Sequence, residues 1–439
     1  MRRILFYLKF LIVKKSVIHY YNSLLKFDKL TENDKKSIVN DSFIKLYRHA
    51  FSNSKFLKKK YTEAGLDIDS VKSIDDIKKI PYLTRDEIIN HKEDILAVKK
   101  TRHISSPTTG GTTGIPMKFY RDNSLPFESF YLFYLKNWHI KPYSNSLYLW
   151  RLKKKSFLSK ILNKIFWFPT IKMKIDGTLV NLNKAKYIIK KLNKHRPQLI
   201  QGYVGCLVEL SKIMIDNNIF LNYKPKAIWT TAAPITIFEK KLINTAFKSS
   251  IFDEYGSAEI PWIAFQKFNE SDLLYVNNYA RFLEIINKDD NGFGEIVITD
   301  FFDFSFPKIR YKNGDKSKFD KNSTIFTTII NPVLGRKSDY LLIPKVGKID
   351  GSYLTTVFNK YCDSVNGFQF IQNDLNEIKL MVIPNLDNED HKLQIDKVVN
   401  DLNIIFDNNI KLNVFFVKKL KYDRGKIRYV IRSKKLDDK

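Results

Sequence analysis

Cysteine and histidine are scarce in this chain of 439 residues, which has two cysteines and seven histidines. Cys206 and Cys362 lie far apart, and neither has a cysteine or histidine at the spacing of a metal-ligand pair. This argues against a disulfide framework and against structural zinc, and it fits a reducing compartment. The GxSxG sequence of a hydrolase nucleophile elbow does not occur either.

The sequence also lacks an apolar run long enough to span a bilayer, which needs about 20 residues. Residues 1–15, MRRILFYLKFLIVKK, hold an apolar decamer interrupted by Lys9 between basic ends, without the small-residue cleavage site of a secretory signal. Two interpretations stay open: a helix on a membrane surface, or a helix docked on the protein itself. We favour peripheral membrane contact.

Acidic residues are outnumbered, with 46 Asp+Glu against 75 Lys+Arg and a net charge of +29. This balance indicates anionic partners, although a lysine-rich composition spread over solvated faces would also produce it. The sequence has no RNA-binding aromatic signature, zinc-finger spacing or arginine-rich arm, so we predict no nucleic-acid partner. We expect a cytoplasmic protein, at most peripheral at the inner face of the membrane.

Glycine is sparse as well, but three of the 16 glycines cluster in the stretch SSPTTGGTTGIPMKFY, Ser105 to Tyr120. Glycines let successive N–H groups turn toward one point, and the hydroxyls add donors, so the stretch favours a nest for a phosphate chain. A mobile polar linker is the alternative. The stretch is not a Walker loop, because no Gly-Lys-Ser/Thr closes it and Met117 stands where a basic residue is expected.

Apolar spacing predicts an α/β organisation. Thr84 followed three residues later by Glu87 predicts a capped helix start. The runs QLIQGY, AIWTTAAP and IFDEYG alternate with helical spacing, which predicts parallel strands. Since ligands bind at the carboxyl ends of such strands, the loops after Tyr203, Thr231 and Tyr255 are site candidates. Further on, LEIINK and GEIVITD flank an Asn-Gly turn and predict a hairpin, and a small α+β unit follows.

Five motifs follow in order between Ser105 and Val430: TTGGTTGIPM, DEYGSAE, RYKNGD, GRKSD and RGKIRYV. This series resembles that of the adenylate-forming ligases, and above all the phenylacetate-CoA ligase branch with the CapK-like proteins found with capsular polysaccharide genes. The resemblance implies a large α/β N-terminal domain with mixed and parallel sheets plus a small C-terminal α+β lid domain. We assign residues 1–40 to a helical extension, 41–334 to the AMP-binding domain and 335–439 to the mobile lid.

The resemblance also implies roles for the matching residues. In the family, the glycine-rich loop grips the phosphates of ATP, an aromatic residue stacks on adenine, and an acid accepts both ribose hydroxyls. The implied nucleotide-binding residues are Thr109, Gly110, Gly111, Thr112, Thr113 and Gly114 in the loop, with Ala233, Glu254, Tyr255, Gly256, Asp315 and Arg336. Tyr255 matches the adenine-stacking residue and Asp315 the ribose acid, whereas a surface Asn-Gly-Asp turn is the alternative for Asp315.

The implied catalytic residues are Thr113, Arg336 and Lys426. Lys426 resembles the lid lysine that bridges the substrate carboxylate and the α-phosphate, where a cation offsets the charge that builds up. Glu259 matches the magnesium-binding acid, and a hard carboxylate suits Mg²⁺; a helix N-terminal acid is the alternative. We place the acyl pocket near Tyr203, Trp229 and Trp262, for which aromatic core packing is an equally good account.

Some positions depart from the family pattern. Ser338 stands where the hinge usually holds an acidic residue, Ala232-Ala233 replace a glutamate or glycine pair, and the cysteines of some relatives are missing at Ala264–Gln266.

The expected activity is that of an ATP- and Mg²⁺-dependent, AMP-forming carboxylate ligase. The acyl group would pass to a sugar nucleotide or lipid-linked glycan in surface polysaccharide assembly, or to CoA. The rival interpretation is a non-catalytic scaffold that keeps the fold.

Overall fold

The computed structural model describes residues 2–107, 117–150, 157–177, 180–231, 233, 235–268, 272–334, 340–350, 354, 357–358, 364–423, 426–427, 429–433 and 436. The chain forms two compact units, each made of two separate segments. Unit 1 comprises Met1–Tyr143 and Phe252–Val333, and unit 2 comprises Ser144–Ile251 and Leu334–Lys439.

Among the described residues the α-helices, in chain order, are α1 (Arg2–Val13), α2 (Lys15–Phe27), α3 (Glu32–Asn53), α4 (Lys55–Glu63), α5 (Arg85–Ile95), α6 (Glu128–Asn137), α7 (Phe157–Trp167), α8 (Leu182–His195), α9 (Val204–Asp216), α10 (Ile237–Phe247) and α11 (His391–Ile405). A 3₁₀ helix spans Ile74–Lys79.

The strands are numbered in the same way. They are β1 (Ile104–Ser105), β2 (Arg121–Asp122), β3 (Ser146–Trp150), β4 (Lys172–Asp176), β5 (Leu199–Tyr203), β6 (Ala227–Thr231), β7 (Ser250–Tyr255), β8 (Ala264–Gln266), β9 (Leu274–Val276), β10 (Arg281–Ile286), β11 (Gly294–Asp300), β12 (Tyr311–Ser317), β13 (Ile329–Ile330), β14 (Tyr340–Ile343), β15 (Gly347–Asp350), β16 (Val365–Gln372), β17 (Glu377–Pro384), β18 (Lys411–Phe416), β19 (Tyr422–Asp423), β20 (Lys426–Ile427) and β21 (Val430–Arg432).

Unit 1 packs helices α1–α6 with antiparallel strands. Strands β7, β8, β9 and β13 pair in that order, and β10, β11 and β12 form a separate antiparallel sheet. One hydrophobic core joins helices α2–α5 to both sets of strands, with Phe43, Leu46 and Tyr47 of α3 fully buried beside Ile298 and Tyr311. Strands β1 and β2 pair across the glycine-rich stretch, so its two ends lie next to each other.

Unit 2 contains a parallel sheet and a smaller α+β part. Strands β6, β5, β3 and β4 run parallel in that order, and helices α8, α9 and α10 cover them with an aliphatic core. The smaller part has the sheet order β18, β17, β16, β21, against which α11 buries Ile395, Val398 and Leu402. Phe238 of α10 belongs to the core of this smaller part.

Several predictions of local structure are confirmed. Thr84 and Glu87 form a capping box at the start of α5, and β5 and β6 are parallel neighbours. The Asn-Gly turn joins β10 to β11 in an antiparallel hairpin. Residues 1–15 begin with helix α1, and among the described residues no helix is long and apolar enough to cross a membrane.

Candidate active site

The loop after β7 carries the predicted magnesium ligand, Glu259. Strand β7 ends at Tyr255, and the chain turns at once because Ile263 N donates to Tyr255 O at 3.0 Å. A Cβ atom on Gly256 would lie 2.9 Å from the backbone nitrogen of Trp262, so glycine is required by close backbone approach. Trp262 itself has a left-handed φ of 61°. The segment from Gly256 to Trp262, which we call the glutamate loop, is therefore a tight, defined turn.

Glu259 is buried within this loop, with 3% of its surface exposed. Its Oε1 accepts a hydrogen bond from the hydroxyl of Tyr311 at 3.2 Å. Its Oε2 is also buried and has no hydrogen-bond partner among the described residues. An unsatisfied buried carboxylate oxygen is costly, and such atoms call for an explanation such as an ion.

Three side chains from other parts of unit 1 hold the carbonyl groups of the glutamate loop. The Arg121 guanidinium donates to Ala258 O. Arg281 Nη2 donates to Pro261 O at 2.9 Å, and Asn277 Nδ2 donates to Trp262 O at 2.7 Å. Because these donors come from β2, β10 and the segment before it, the position of Glu259 depends on contacts distant in sequence.

Arg281 is fully buried, and a network of opposite charges compensates it. Its Nη1 donates to Asp300 Oδ1 at 2.6 Å, and its guanidinium lies 5.5 Å from the ring centres of both Phe130 and Phe302. Lys308, also fully buried, lies 3.8 Å from Asp300 Oδ2. Buried charges are tolerated when paired and hydrogen-bonded in this way, so this network gives the glutamate loop a fixed support.

Arg121 brings positive charge close to Glu259. Burial lowers the pKa of its guanidinium, while the carboxylates of Asp303 and Glu259 act in the opposite direction. The side chain lies 5.4 Å from the Phe119 ring centre, and its strand β2 follows the glycine-rich stretch directly. Lys118, the basic residue that follows Met117, is exposed, and Met117 itself is buried.

The predicted adenine and ribose residues meet in a second cluster of unit 1. The Tyr255 hydroxyl donates to Asp315 Oδ2 at 2.9 Å, and Asn313 Nδ2 donates both to Asp315 Oδ2 at 2.9 Å and to the Tyr255 oxygen. Burial, and next the charge of Asp315, raises the pKa of Tyr255 well above its usual range. Glu254, also predicted to bind nucleotide, is half-buried at the end of β7.

A bulge in β12 positions Asn313 and Asp315. The register of β11 and β12 shifts between Glu295 and Val297, opposite this segment, and Gly314 has a φ of 85°. A β-bulge re-aims side chains and is common beside active sites. The RYKNGD motif is therefore an interrupted strand within a sheet.

The remaining predicted residues with a described position lie in unit 2, apart from Trp262. Tyr203 ends β5 and its ring lies 4.4 Å from that of Trp150, Trp229 is fully buried in β6, and Ala233 is half-buried after β6. The backbone of Lys426 pairs with Asp423 between β19 and β20. In unit 1, Trp262 is half-buried with its ring stacked 6.2 Å from Phe130.

Other predicted residues lie outside the described part of the chain. They are Thr109, Gly110, Gly111, Thr112, Thr113, Gly114, Ala232, Arg336, Ser338 and the side chain of Lys426. Sequence reasoning missed Arg121, Asn277, Arg281 and Asn313. Only Asn313 carried a signal, since it belongs to the RYKNGD motif; the other three act through long-range contacts.

Comparisons with known structures define the class of fold. The chain matches 2-hydroxyisobutyryl-CoA ligase in the postadenylation state in complex with 2-HIB-AMP, with a TM-score of 0.73 and 15% identity over 93% of this chain and 91% of that one. It also matches the amide bond synthetase McbA from Marinactinospora thermotolerans, with a TM-score of 0.51 and 11% identity over 78% and 70% of the two chains. The fold is that of the adenylate-forming ligases, as the motif series implied.

A narrower similarity comes from sequence. Residues 341–433 match the family model described as the CapK C-terminal domain. The chain is 26% identical to Protein CapK of Staphylococcus aureus over 425 residues, which is 94% of this chain and 92% of that protein. The predicted resemblance to CapK-like proteins is thereby confirmed.

Proposed function

We propose that the protein is an ATP-dependent ligase that activates a carboxylate as an acyl-adenylate and then transfers the acyl group to an acceptor. The observation that carries this proposal is the buried Glu259, with one oxygen unpartnered among the described residues, in a chain with the adenylate-forming ligase fold. Glu259 lies in the tight turn that directly follows Tyr255, and this proximity along the chain supports a shared site for the metal and the nucleotide.

The nucleotide is proposed to bind over Tyr255 and Asp315. The Tyr255 ring would stack on adenine, and its hydroxyl is already fixed by Asp315 and Asn313. Asp315 would accept the ribose hydroxyls, because a carboxylate has lone pairs for several donors at once. We assign the phosphates to Thr109–Gly114, whose flanking strands β1 and β2 pair in unit 1.

The chemistry of Glu259 fits Mg²⁺, which binds proteins through one or two carboxylates and takes its other ligands from phosphates and water. No group of three or more His, Cys, Asp or Glu side chains able to hold a metal occurs among the described residues, so this single carboxylate would act with the ligand's own oxygens. When bound, the ion supplies charge neutralisation at the phosphates.

In the first step, a substrate carboxylate oxygen attacks the α-phosphorus of ATP. The bond from that phosphorus to the bridging oxygen breaks, and pyrophosphate leaves with the electron pair. Residues 335–439, which include the CapK C-terminal match, are proposed to act as a lid that brings Lys426 to the charge developing on the phosphate. Arg336 and Thr113 would contribute further positive charge and a hydrogen bond there.

In the second step, a nucleophile of the acceptor attacks the acyl carbonyl, loses its proton to solvent, and releases AMP. We propose a sugar nucleotide or lipid-linked glycan as acceptor, in capsular or other surface polysaccharide assembly, on the similarity to Protein CapK. Coenzyme A is the alternative acceptor. We propose a cytoplasmic location, where ATP is available.

ATP–pyrophosphate exchange with a panel of aryl acids, amino acids and sugar acids tests the proposal. We expect exchange with one acid class, dependent on Mg²⁺ and lost in Lys426→Ala, which should still bind ATP. The active acid is then supplied with each acceptor in turn, and the product is identified by mass spectrometry. Protein that binds ATP but exchanges with no acid would support the scaffold interpretation, and full exchange by Lys426→Ala would refute the role of that lysine.

A further inference from the structure

In the described part of the chain, helix α1 packs against the rest of unit 1 through one face. Phe6 and Phe10 are fully buried, and their rings pack edge to face at 5.2 Å. Directly after the helix, Lys14 Nζ donates to Leu125 O at 2.8 Å and to Glu128 Oε2 at 2.9 Å. These contacts fix the orientation of the helix, so its opposite face is presented to solvent in a defined direction.

That opposite face is an exposed apolar stripe. Its members follow the spacing i, i+1, i+4, i+7 and i+8, which places them within an arc of about 120°, centred about 180° from the two buried phenylalanines. Their side chains are between 40% and 82% exposed. The apolar stripe consists of Ile4, Leu5, Leu8, Leu11 and Ile12.

Basic side chains border the apolar stripe. Arg2 and Arg3 are exposed at the start of the helix, and Lys15 is exposed just after its end. Lys9 is half-buried, with its ammonium 4.4 Å and 4.7 Å from the ring centres of Phe6 and Phe10. No acidic residue occurs in residues 1–27. An apolar face edged by lysine and arginine is the pattern of helices that lie in the interface of anionic membranes.

We propose that α1 is a membrane-docking helix, which inserts its apolar stripe into the headgroup region of a bilayer rich in anionic lipid. A second copy of the chain is a less favourable partner for the apolar stripe. Two stripes packed together would bring the basic residues beside them close to each other, and each chain has a net charge of +29, so the two copies would repel. An anionic bilayer would instead bury the apolar stripe and attract the basic residues beside it.

Co-sedimentation with vesicles tests this directly, with vesicles of phosphatidylcholine alone and with added phosphatidylglycerol. We expect the full chain to bind the anionic vesicles. The double variant Leu8→Glu/Ile12→Glu should bind them with an affinity lower by roughly tenfold or more. The matched control is Ile68→Glu/Ile325→Glu. It changes two exposed apolar residues of unit 1 elsewhere, with the same change in net charge, and should bind like the wild type.

The control separates docking by α1 from general attraction of a basic protein to anionic lipid. Equal loss of binding in both double variants, or no loss in the α1 variant, would overturn the proposal. A third result would also overturn it: light scattering shows that the wild type is a dimer, and the α1 variant is a monomer that still binds vesicles as the wild type does. Circular dichroism checks that both variants fold. Neither ATP nor an acyl substrate is present, so the result is independent of the proposed ligase activity.

Discussion

Glu259 combines burial with an incomplete set of hydrogen bonds. Only Tyr311 donates to it among the described residues, at the long distance of 3.2 Å, while Arg121 supplies a nearby positive charge. A purely structural carboxylate at this depth would be expected to have both oxygens satisfied. The metal ion proposed above would complete this set of contacts.

Replacing Glu259 by glutamine should therefore separate function from stability. The amide keeps the size and the contact with Tyr311 but removes the charge. We expect pyrophosphate exchange to fall roughly 100-fold or more. In the absence of Mg²⁺, the free energy of unfolding should be unchanged or higher by about 1 kcal/mol, since an underpaired buried charge is removed.

Exchange kinetics and urea unfolding measure the two effects, with the exposed Glu63→Gln as the control that changes neither. A variant of Glu259 that loses stability while keeping its exchange rate would assign the residue a structural role.

The Tyr255 hydroxyl and the Asp315 carboxylate make different contributions to the cluster that they form with Asn313, where we propose that the nucleotide binds. Tyr255→Phe keeps the ring and removes the hydrogen bonds to Asp315 and Asn313, so we expect about 1 kcal/mol less stability and a KM for ATP within about threefold of wild type. Asp315→Ala should raise the KM for ATP about tenfold or more, because charge-assisted hydrogen bonds to ribose are lost. The reverse ranking of the two KM values would contradict the assigned roles.

Among the secondary-structure elements, α10 combines a helix start with a buried acid. Thr236 and Glu239 form a capping box, and Tyr429 of the smaller α+β part donates to Glu239 Oε2 at 3.2 Å. Burial raises the pKa of Glu239, against the lowering effect of the hydrogen bonds from Thr236 and Tyr429. A hydrogen bond from Tyr429 of the RGKIRYV motif to the carboxyl group of Glu239 thus connects that motif to the start of α10.

The direction of this pKa shift fixes the sign of a pH effect. Because the pKa of Glu239 is higher in the folded than in the unfolded protein, its protonated form adds to the free energy of unfolding. This contribution is fully present below the usual glutamate pKa of 4.5, and it is lost as the pH rises through the pKa of Glu239 in the folded protein. Glu239→Gln keeps the capping box and cannot ionise. The stability of wild type relative to this variant should therefore fall with rising pH, by at most about 1.4 kcal/mol per pH unit.

Urea unfolding over a pH series measures this difference, and the exposed Glu389→Gln serves as the control. A difference that stays constant or grows with pH would show that Glu239 is ionised without cost in the folded protein.

The elements that could be predicted from sequence are those set by local rules. The capping box at Thr84, the hairpin at Asn291-Gly292 and the alternation that produces β5 and β6 all depend on neighbours within a few residues. The support of the glutamate loop could not be predicted, because Arg281 begins β10 while Pro261 follows β7, and these strands belong to different sheets that only the tertiary fold brings together. The motif order predicts Tyr255, Glu259 and Asp315 as site residues, but it does not predict the hydrogen bonds by which Asn313 joins Tyr255 to Asp315.

At the scale of the whole molecule, the predicted parts and the observed units divide the chain differently. The predicted lid begins at residue 335, next to the segment boundary at Leu334, yet unit 2 joins this segment to Ser144–Ile251. Composition does not reveal such a grouping, because both segments have ordinary apolar cores of their own. Among the described residues, Phe238 is the one buried residue from the first segment of unit 2 that belongs to the core of the C-terminal segment.

The two-segment construction of unit 2 has a consequence for its synthesis. A ribosome adds about 5–20 residues per second, so the intervening segment 252–333 takes roughly 4 to 16 s to emerge after α10. During that interval Phe238 and the surface around Glu239 are exposed, because the C-terminal strands that cover them in the folded protein have not yet been made. The nascent chain thus passes through a stage in which a hydrophobic surface is open to chaperones, and completion of the C-terminal segment is what closes it.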